Sequence, residues 1–104
     1  ELLEEVSIPE GITKIKAQTF ACCNSLKSVV IPSSVKEIER EAFAACKSLE
    51  SIIIPDSVIH IGNYAFFVCK SLKEVIFKGK TLDEVKQMEN YPFGIKDESI
   101  IKCV

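Results

Sequence analysis

The chain has little of what most chemistry requires. It carries a single histidine, His60, among 104 residues, and its four glycines stand far apart. No Gly-rich loop is present to cradle a phosphate with backbone N–H groups. His60 lies between Val58 and Ile61, and no serine or cysteine pairs with it by any recognisable motif, so it reads as a solvated loop residue rather than a catalytic base. Carboxylates are numerous, among them Glu4, Glu5, Glu37, Glu39 and Glu41, but none pairs as the acid and base of a hydrolase. A non-enzymatic protein without cofactor or metal is expected. The 13 basic and 15 acidic residues give a net charge of −2 and are spread along the chain. They form no basic stripe that would neutralise a phosphate backbone, which argues against nucleic acid as the partner. The longest apolar runs, such as Val29 to Ile31 and Ile52 to Ile54, fall far short of the roughly 20 residues that span a bilayer. No signal peptide or lipidation motif is visible, but the sequence starts at Glu1 rather than Met, so compartment stays open.

What is present is a repeat. At 47% hydrophobic and 27% charged, the composition is that of a globular protein, and the length suits one domain over residues 1–104. Set against itself, the sequence matches at a period of 23 residues. Leu3, Leu26, Leu49 and Leu72 share one phase, followed by Ile8, Ile31, Ile54 and Phe77 and then by Pro9, Pro32 and Pro55, with Lys78 breaking the column. Further columns are Ile12, Val35 and Val58; Ile15, Ile38 and Ile61; Phe20, Phe43 and Phe66; Cys23, Cys46 and Cys69; and Ser25, Ser48 and Ser71. The expected units are repeats 3–25, 26–48 and 49–71, a divergent unit 72–80, and a C-terminal cap 81–104.

A period of this length with an L-x-x-L-x-L phrase, here "LKSVVI" from Leu26 and "LESIII" from Leu49, marks a solenoid in which each repeat is one coil. The full unit, with I-P after the strand and A-F-x-x-C on the return path, closely resembles the BspA-like, or treponemal-type, leucine-rich repeat. The resemblance covers about Leu3 to Phe77, with Thr19 in place of the alanine and Cys22 as an extra cysteine. It implies a right-handed leucine-rich repeat solenoid with a short parallel β-sheet on the concave face and an irregular or short-helical convex side. It also implies a cell-surface or secreted protein that binds other proteins.

The repeated residues fit the demands of one coil. Proline cannot donate to a ladder and ends the strand. Phe43 then fills the wide interior of the return path, where Ala42 leaves room, and Cys46 occupies the corner before Leu49 restarts the strand. At the C-terminal end, Thr81 and Glu84 make a capping box for a short helix with Leu82, Val85 and Met88 on one face. "YPFGI" from Tyr91 reads as a turn, and "SIIKC" over Ser99 to Cys103 as a last strand beside Val75 to Phe77. The N-terminal edge has no such device, so either further repeats precede Glu1 or this edge pairs with another copy.

Five cysteines are many, but the period stacks Cys23, Cys46 and Cys69 in a line at about 4.8 Å per coil, which converges on no tetrahedral metal site and leaves one thiol over in any disulfide scheme. They read as buried free thiols packing as small hydrophobes. Cys103 is expected to join the cap, and Cys22, pointing away from Cys23, to be exposed and reactive. On the strand face, Glu4, Lys27, Glu50 and Lys73 alternate in sign from coil to coil and read as a register device. Beside them run Ser7, Val30, Ile53 and Ile76, flanked by Glu5, Ser28, Ser51 and Glu74. An aliphatic stripe rimmed by small polar residues and acids is the expected protein-binding surface, with Ser28, Val30, Ser51, Ile53, Glu74 and Ile76 as its candidate residues. The alternative is a spacer or C-terminal cap of a longer array with no ligand of its own. A glycan-binding module is disfavoured by the lack of a row of aromatics on this face.

Overall fold

In a computed structural model of the chain, residues 4–104 are described. Leu3, the first member of the leucine column, lies outside the described residues. The elements in order are β1 (Glu5–Ser7), β2 (Lys14–Ile15), β3 (Ser28–Val30), β4 (Glu37–Ile38), β5 (Ser51–Ile54), β6 (His60–Ile61), β7 (Glu74–Phe77), α1 (Leu82–Lys86), a 3₁₀ turn over Glu98–Ile100, and β8 (Ile101–Cys103). All strand pairs are parallel. β1 pairs with β3, and β5 with β7 and then β8. Between β3 and β5 the Glu50 N–H donates to the Lys27 carbonyl at 3.2 Å. Partners are offset by 23 residues, as in Val6 opposite Val29 and Ile52 opposite Val75. This is the solenoid that the repeat implies.

The core is built from the periodic columns. Leu26 and Leu49, Val35 and Val58, Ile15, Ile38 and Ile61, and Ala42 and Ala65 are all buried. Ile12 departs from its column and is 40% exposed, although Ile8 and Ile15 of the same coil are buried. The phenylalanines nest face upon face: the Phe20 and Phe43 rings are 5.3 Å apart at an interplanar angle of 7°, and Phe43 and Phe66 are 5.7 Å apart at 6°. At such separations the rings are offset-stacked, so each gains contact with its neighbours in addition to its burial.

The side opposite the longer strands is largely irregular, as expected, and carries one feature that the repeat did not announce. Coils one to three have no helix there; their return path carries a second parallel ladder, β2–β4–β6, with Ile15, Ile38 and Ile61 in register. His60 belongs to it, half-buried opposite Glu37, and is not a solvated loop residue. Beyond this ladder the chain turns through two positive-φ residues in every coil: Gln18 and Cys22, Glu41 and Ala45, Tyr64 and Val68, with φ between 57° and 64°. The left-handed region costs a non-glycine residue about 1–2 kcal/mol. The compensation is visible in the hydrogen bonds. The N–H groups of Gln18 and Glu41 donate to Arg40 and Asn63 of the next coil, and those of Cys22 and Ala45 to Ala44 and Phe67. Left-handed residues here aim otherwise orphaned donors along the stack.

The last winding takes 26 residues, since Val75 pairs with Ile101 and Phe77 with Cys103. Its positive-φ residues are Gly79, Asn90, Phe93 and Gly94, of which Asn90 and Gly94 follow Tyr64 and Val68 by 26. The three extra residues fall between Phe77 and Asn90, where α1 replaces a rung of the second ladder. Thr81 starts α1 as a reciprocal capping box with Glu84 (Glu84 N–H to Thr81 Oγ1 3.2 Å; Thr81 N–H to Glu84 Oε1 2.9 Å). Of the three residues expected on its inner face, Val85 is buried, Met88 is half-buried and Leu82 is 44% exposed, because a five-residue helix presents barely one turn to the core. The Asn90 side-chain amide donates to the Ile61 carbonyl at 3.1 Å. In earlier coils the corresponding carbonyls of Ile15 and Ile38 receive the main-chain N–H of Glu39 and Gly62. β8 starts at Ile101, two residues later than expected, because Asp97 accepts from the Ser99 N–H at 3.0 Å and winds residues 98–100 into the 3₁₀ turn.

Two substitutions test this packing. Phe43→Ala removes the middle ring of the stack and is expected to cost about 3–5 kcal/mol in urea unfolding. Gly62→Ala is expected to cost about 1–3 kcal/mol, because an added Cβ would lie 2.2 Å from the Arg40 backbone nitrogen, where a main chain cannot step aside.

Candidate binding face

The strand face is generated by a two-residue alternation on short strands. Val29, Ile52 and Val75 point inward, so Val30, Ile53 and Ile76 point out. Val30 is 61% exposed and Ile53 45%, while Ile76 is half-buried. Register places Ser7 beside Val30, and Ile53 beside Ile76. The stripe ends on Lys102, the partner of Ile76 on β8. Its flank is Glu5 beside Ser28 and Ser51 beside Glu74. The six candidate residues therefore share one face over three coils. Lys102 completes that face and was hidden from the repeat, because the last winding is out of the 23-residue phase. Its ammonium lies 3.8 Å from Glu74.

The alternating charges do not act as expected. Among the described residues, no side-chain ion pair joins Glu4, Lys27, Glu50 and Lys73 within 4 Å. All four are exposed. Register at this column is kept by main-chain hydrogen bonds, with the Lys27, Glu50 and Lys73 N–H groups donating to the Glu4, Lys27 and Glu50 carbonyls at 2.7, 3.2 and 2.8 Å. Besides Lys102 and Glu74, the cross-coil ion pairs lie beside the second ladder, where Lys14 meets Glu37 at 3.7 Å and Glu39 at 3.9 Å. Being exposed, these pairs add at most about 1 kcal/mol each.

The cysteine column is more than filler. Cys46 is buried, with Cys23 and Cys69 half-buried, and all five cysteines are free. The Cys46 thiol donates to the Phe20 carbonyl at 3.0 Å and the Cys69 thiol to the Phe43 carbonyl at 3.1 Å, so each S–H ties its coil to the one before. Burial, with the neighbouring Cys69 as a second cause, pushes Cys46 up to about 12 from 9.0, and burial also raises Cys69. These are protonated donors, not nucleophiles. Cys22 is exposed, as its sequence position suggests. Cys103 is half-buried in β8.

Two further features escaped the sequence. Tyr64 and Phe67 stand 5.0 Å apart on the turn edge of the third coil and, with Val68, are 41–47% exposed. The first described coil carries a groove lined by Val6, Ile8, Ile15 and Phe20. Among the described residues, no group of three His, Cys, Asp or Glu side chains is placed to hold a metal ion. No described helix is long and apolar enough to cross a membrane.

Comparison with known proteins fits this geometry. A sequence profile for the BspA-type leucine-rich repeat region, spanning six copies, matches residues 2–99. No curated protein matches. A leucine-rich cell surface protein from Faecalibacterium prausnitzii A2-165, solved by crystallography, is 40% identical over 72% of this chain with a TM-score of 0.69. A leucine-rich repeat protein from Bacteroides ovatus is 25% identical over 98% of the chain with a TM-score of 0.58. The chain spans 20% and 36% of the lengths of these two proteins.

The thiol ladder predicts a pH dependence. An unfolded thiol loses its proton near pH 9 while native Cys46 keeps its own to about 12. The native chain therefore holds more protons between these values, and its stability is full below pH 9 and falls as pH rises toward 12. The urea midpoint should drop more between about pH 8 and about pH 10.5 in the wild type than in Cys46→Ala. Brief iodoacetamide treatment of the native protein at neutral pH should label Cys22 and leave Cys46 unlabelled, as read by peptide mass spectrometry.

Proposed function

The chain belongs to the BspA-type leucine-rich repeat family, and from that premise we propose that it is a non-enzymatic protein-binding module at the cell surface, with the strand face as its contact surface. The observation that carries this reading is the outward aliphatic stripe of exposed Val30 and Ile53 and half-buried Ile76, bordered by Ser28, Ser51 and Glu74. A rigid ladder holds these side chains in position before any partner arrives, so little conformational entropy is lost on binding. The stripe supplies apolar area, and the serines and the carboxylate supply a polar rim. The surface location rests on the Faecalibacterium relative, which is described as a cell surface protein.

A spacer role within a longer array is the second reading, favoured by the fact that the chain matches only 20% and 36% of its two solved relatives. The two readings separate on one pair of variants. Ile53 is 45% exposed on the strand face, and Ile59 is 74% exposed on the return path. Ile53→Asp and Ile59→Asp should both leave the melting temperature nearly unchanged. In surface plasmon resonance against a panel of purified extracellular proteins, Ile53→Asp should abolish binding while Ile59→Asp keeps it. Binding that survives Ile53→Asp would assign the contact to another surface, and no binding by the wild type would favour the spacer.

A further inference from the structure

The charge column bordering the stripe has no use within the molecule. Glu4, Lys27, Glu50 and Lys73 are exposed, alternate in sign at one rung spacing, and make no ion pair with one another. Read in reverse, the order negative, positive, negative, positive becomes its own complement. We propose that the strand face pairs with the strand face of a second copy of the chain about a two-fold axis lying parallel to the strands. This rests on the reading above that the face binds protein, and it names the partner.

Two in-plane two-fold axes bring a strand face onto itself, and the residues select between them. An axis along the stacking direction reverses each strand, so the charged column would lie over the partner's aliphatic stripe and desolvate its ions. An axis along the strands reverses only the order of coils. Each column then faces its own copy. Glu4 meets the partner's Lys73, Lys27 meets the partner's Glu50, and both contacts recur by symmetry. In the adjoining columns Val30 meets the partner's Ile53, and Ser28 the partner's Ser51. Glu5 falls opposite the partner's Glu74, the one like-charge contact, and Lys102, 3.8 Å from Glu74, is in place to neutralise it.

The pitch argues for a second copy over other partners. Charges one rung apart repeat at about 4.8 Å, and another stack of the same coils matches that spacing at all four positions. The long Lys and Glu side chains bridge the gap that a curved face leaves. Four rungs of three outward columns bury less than the roughly 1,600 Å² of a standard interface. The dimer is therefore of the weak, reversible class and forms at high local concentration, as on a crowded surface.

Sedimentation velocity from micromolar to millimolar protein tests the assignment, with far-UV circular dichroism confirming that each variant is folded. The wild type should show concentration-dependent dimerisation. Lys27→Glu and Glu50→Lys should each weaken it on the order of tenfold, since each turns two attractive contacts into repulsive ones. An equimolar mixture of the two single variants should dimerise again, because each then presents the charge that the other lacks, and the double variant K27E/E50K should dimerise on its own. A wild type that stays monomeric to millimolar concentration, or single reversals without effect, would overturn the proposal. So would a mixture no tighter than its components. A monomeric wild type that still binds another protein in an Ile53-dependent way would sink this inference and leave the function proposed above intact.

Discussion

The structure depends on main-chain hydrogen bonds that run along the stack, from each coil to the next. Within a coil of about 23 residues the main chain pairs only in tight turns, such as the Cys46 N–H with the Phe43 carbonyl, because its strands are two to four residues long and meet nothing within the same winding. The strand groups that the turns leave over are paired by the neighbouring coil. This requirement imposes the period, since a donor at one position needs an acceptor at the equivalent position of the next winding. It also explains why residues as unlike as Gln18, Cys22, Glu41 and Ala45 adopt the same left-handed conformation. The backbone, not the side chain, is being placed.

Packing follows from that alignment. Once equivalent positions lie over one another, a column of phenylalanines becomes a stack of rings, a column of isoleucines a continuous rib, and a column of cysteines a series of S–H donors to the carbonyls behind them. The same alignment writes the surface. Outward residues form rows whether or not they touch, so charge order and apolar content are displayed at fixed spacing on a rigid support. The function proposed for this chain and its pairing with a second copy both draw on those rows.

Much of this was legible in the sequence, and the boundary of what was legible is physical. The interior columns are conspicuous because burial narrows the choice of residue to one or two types, as with Phe20, Phe43 and Phe66. The second ladder is not conspicuous, because Lys14–Ile15, Glu37–Ile38 and His60–Ile61 are too short to display alternation. The left-handed turns leave no compositional mark, since glycine is absent from seven of their eight equivalent positions, Gly94 being the exception. That last winding hides itself by adding three residues, which moves Asn90, Gly94 and Lys102 out of phase. On the candidate face, the six stripe and rim residues could be chosen from period and alternation alone. The missing partners within the charged column could not, because a row of opposite charges says nothing of where long side chains come to rest.

The thiol hydrogen bonds carry a consequence for the life of the molecule outside a reducing environment. While the coils are stacked, Cys46 keeps its proton and is closed to oxidants. Opening the stack exposes it together with the half-buried Cys23, Cys69 and Cys103, beside Cys22, which is already exposed. In oxidising surroundings the unfolded chain would then cross-link at random before it could rewind. Durability of such a protein is set by how rarely it opens, a matter of barrier height, more than by the free-energy gap between its two end states.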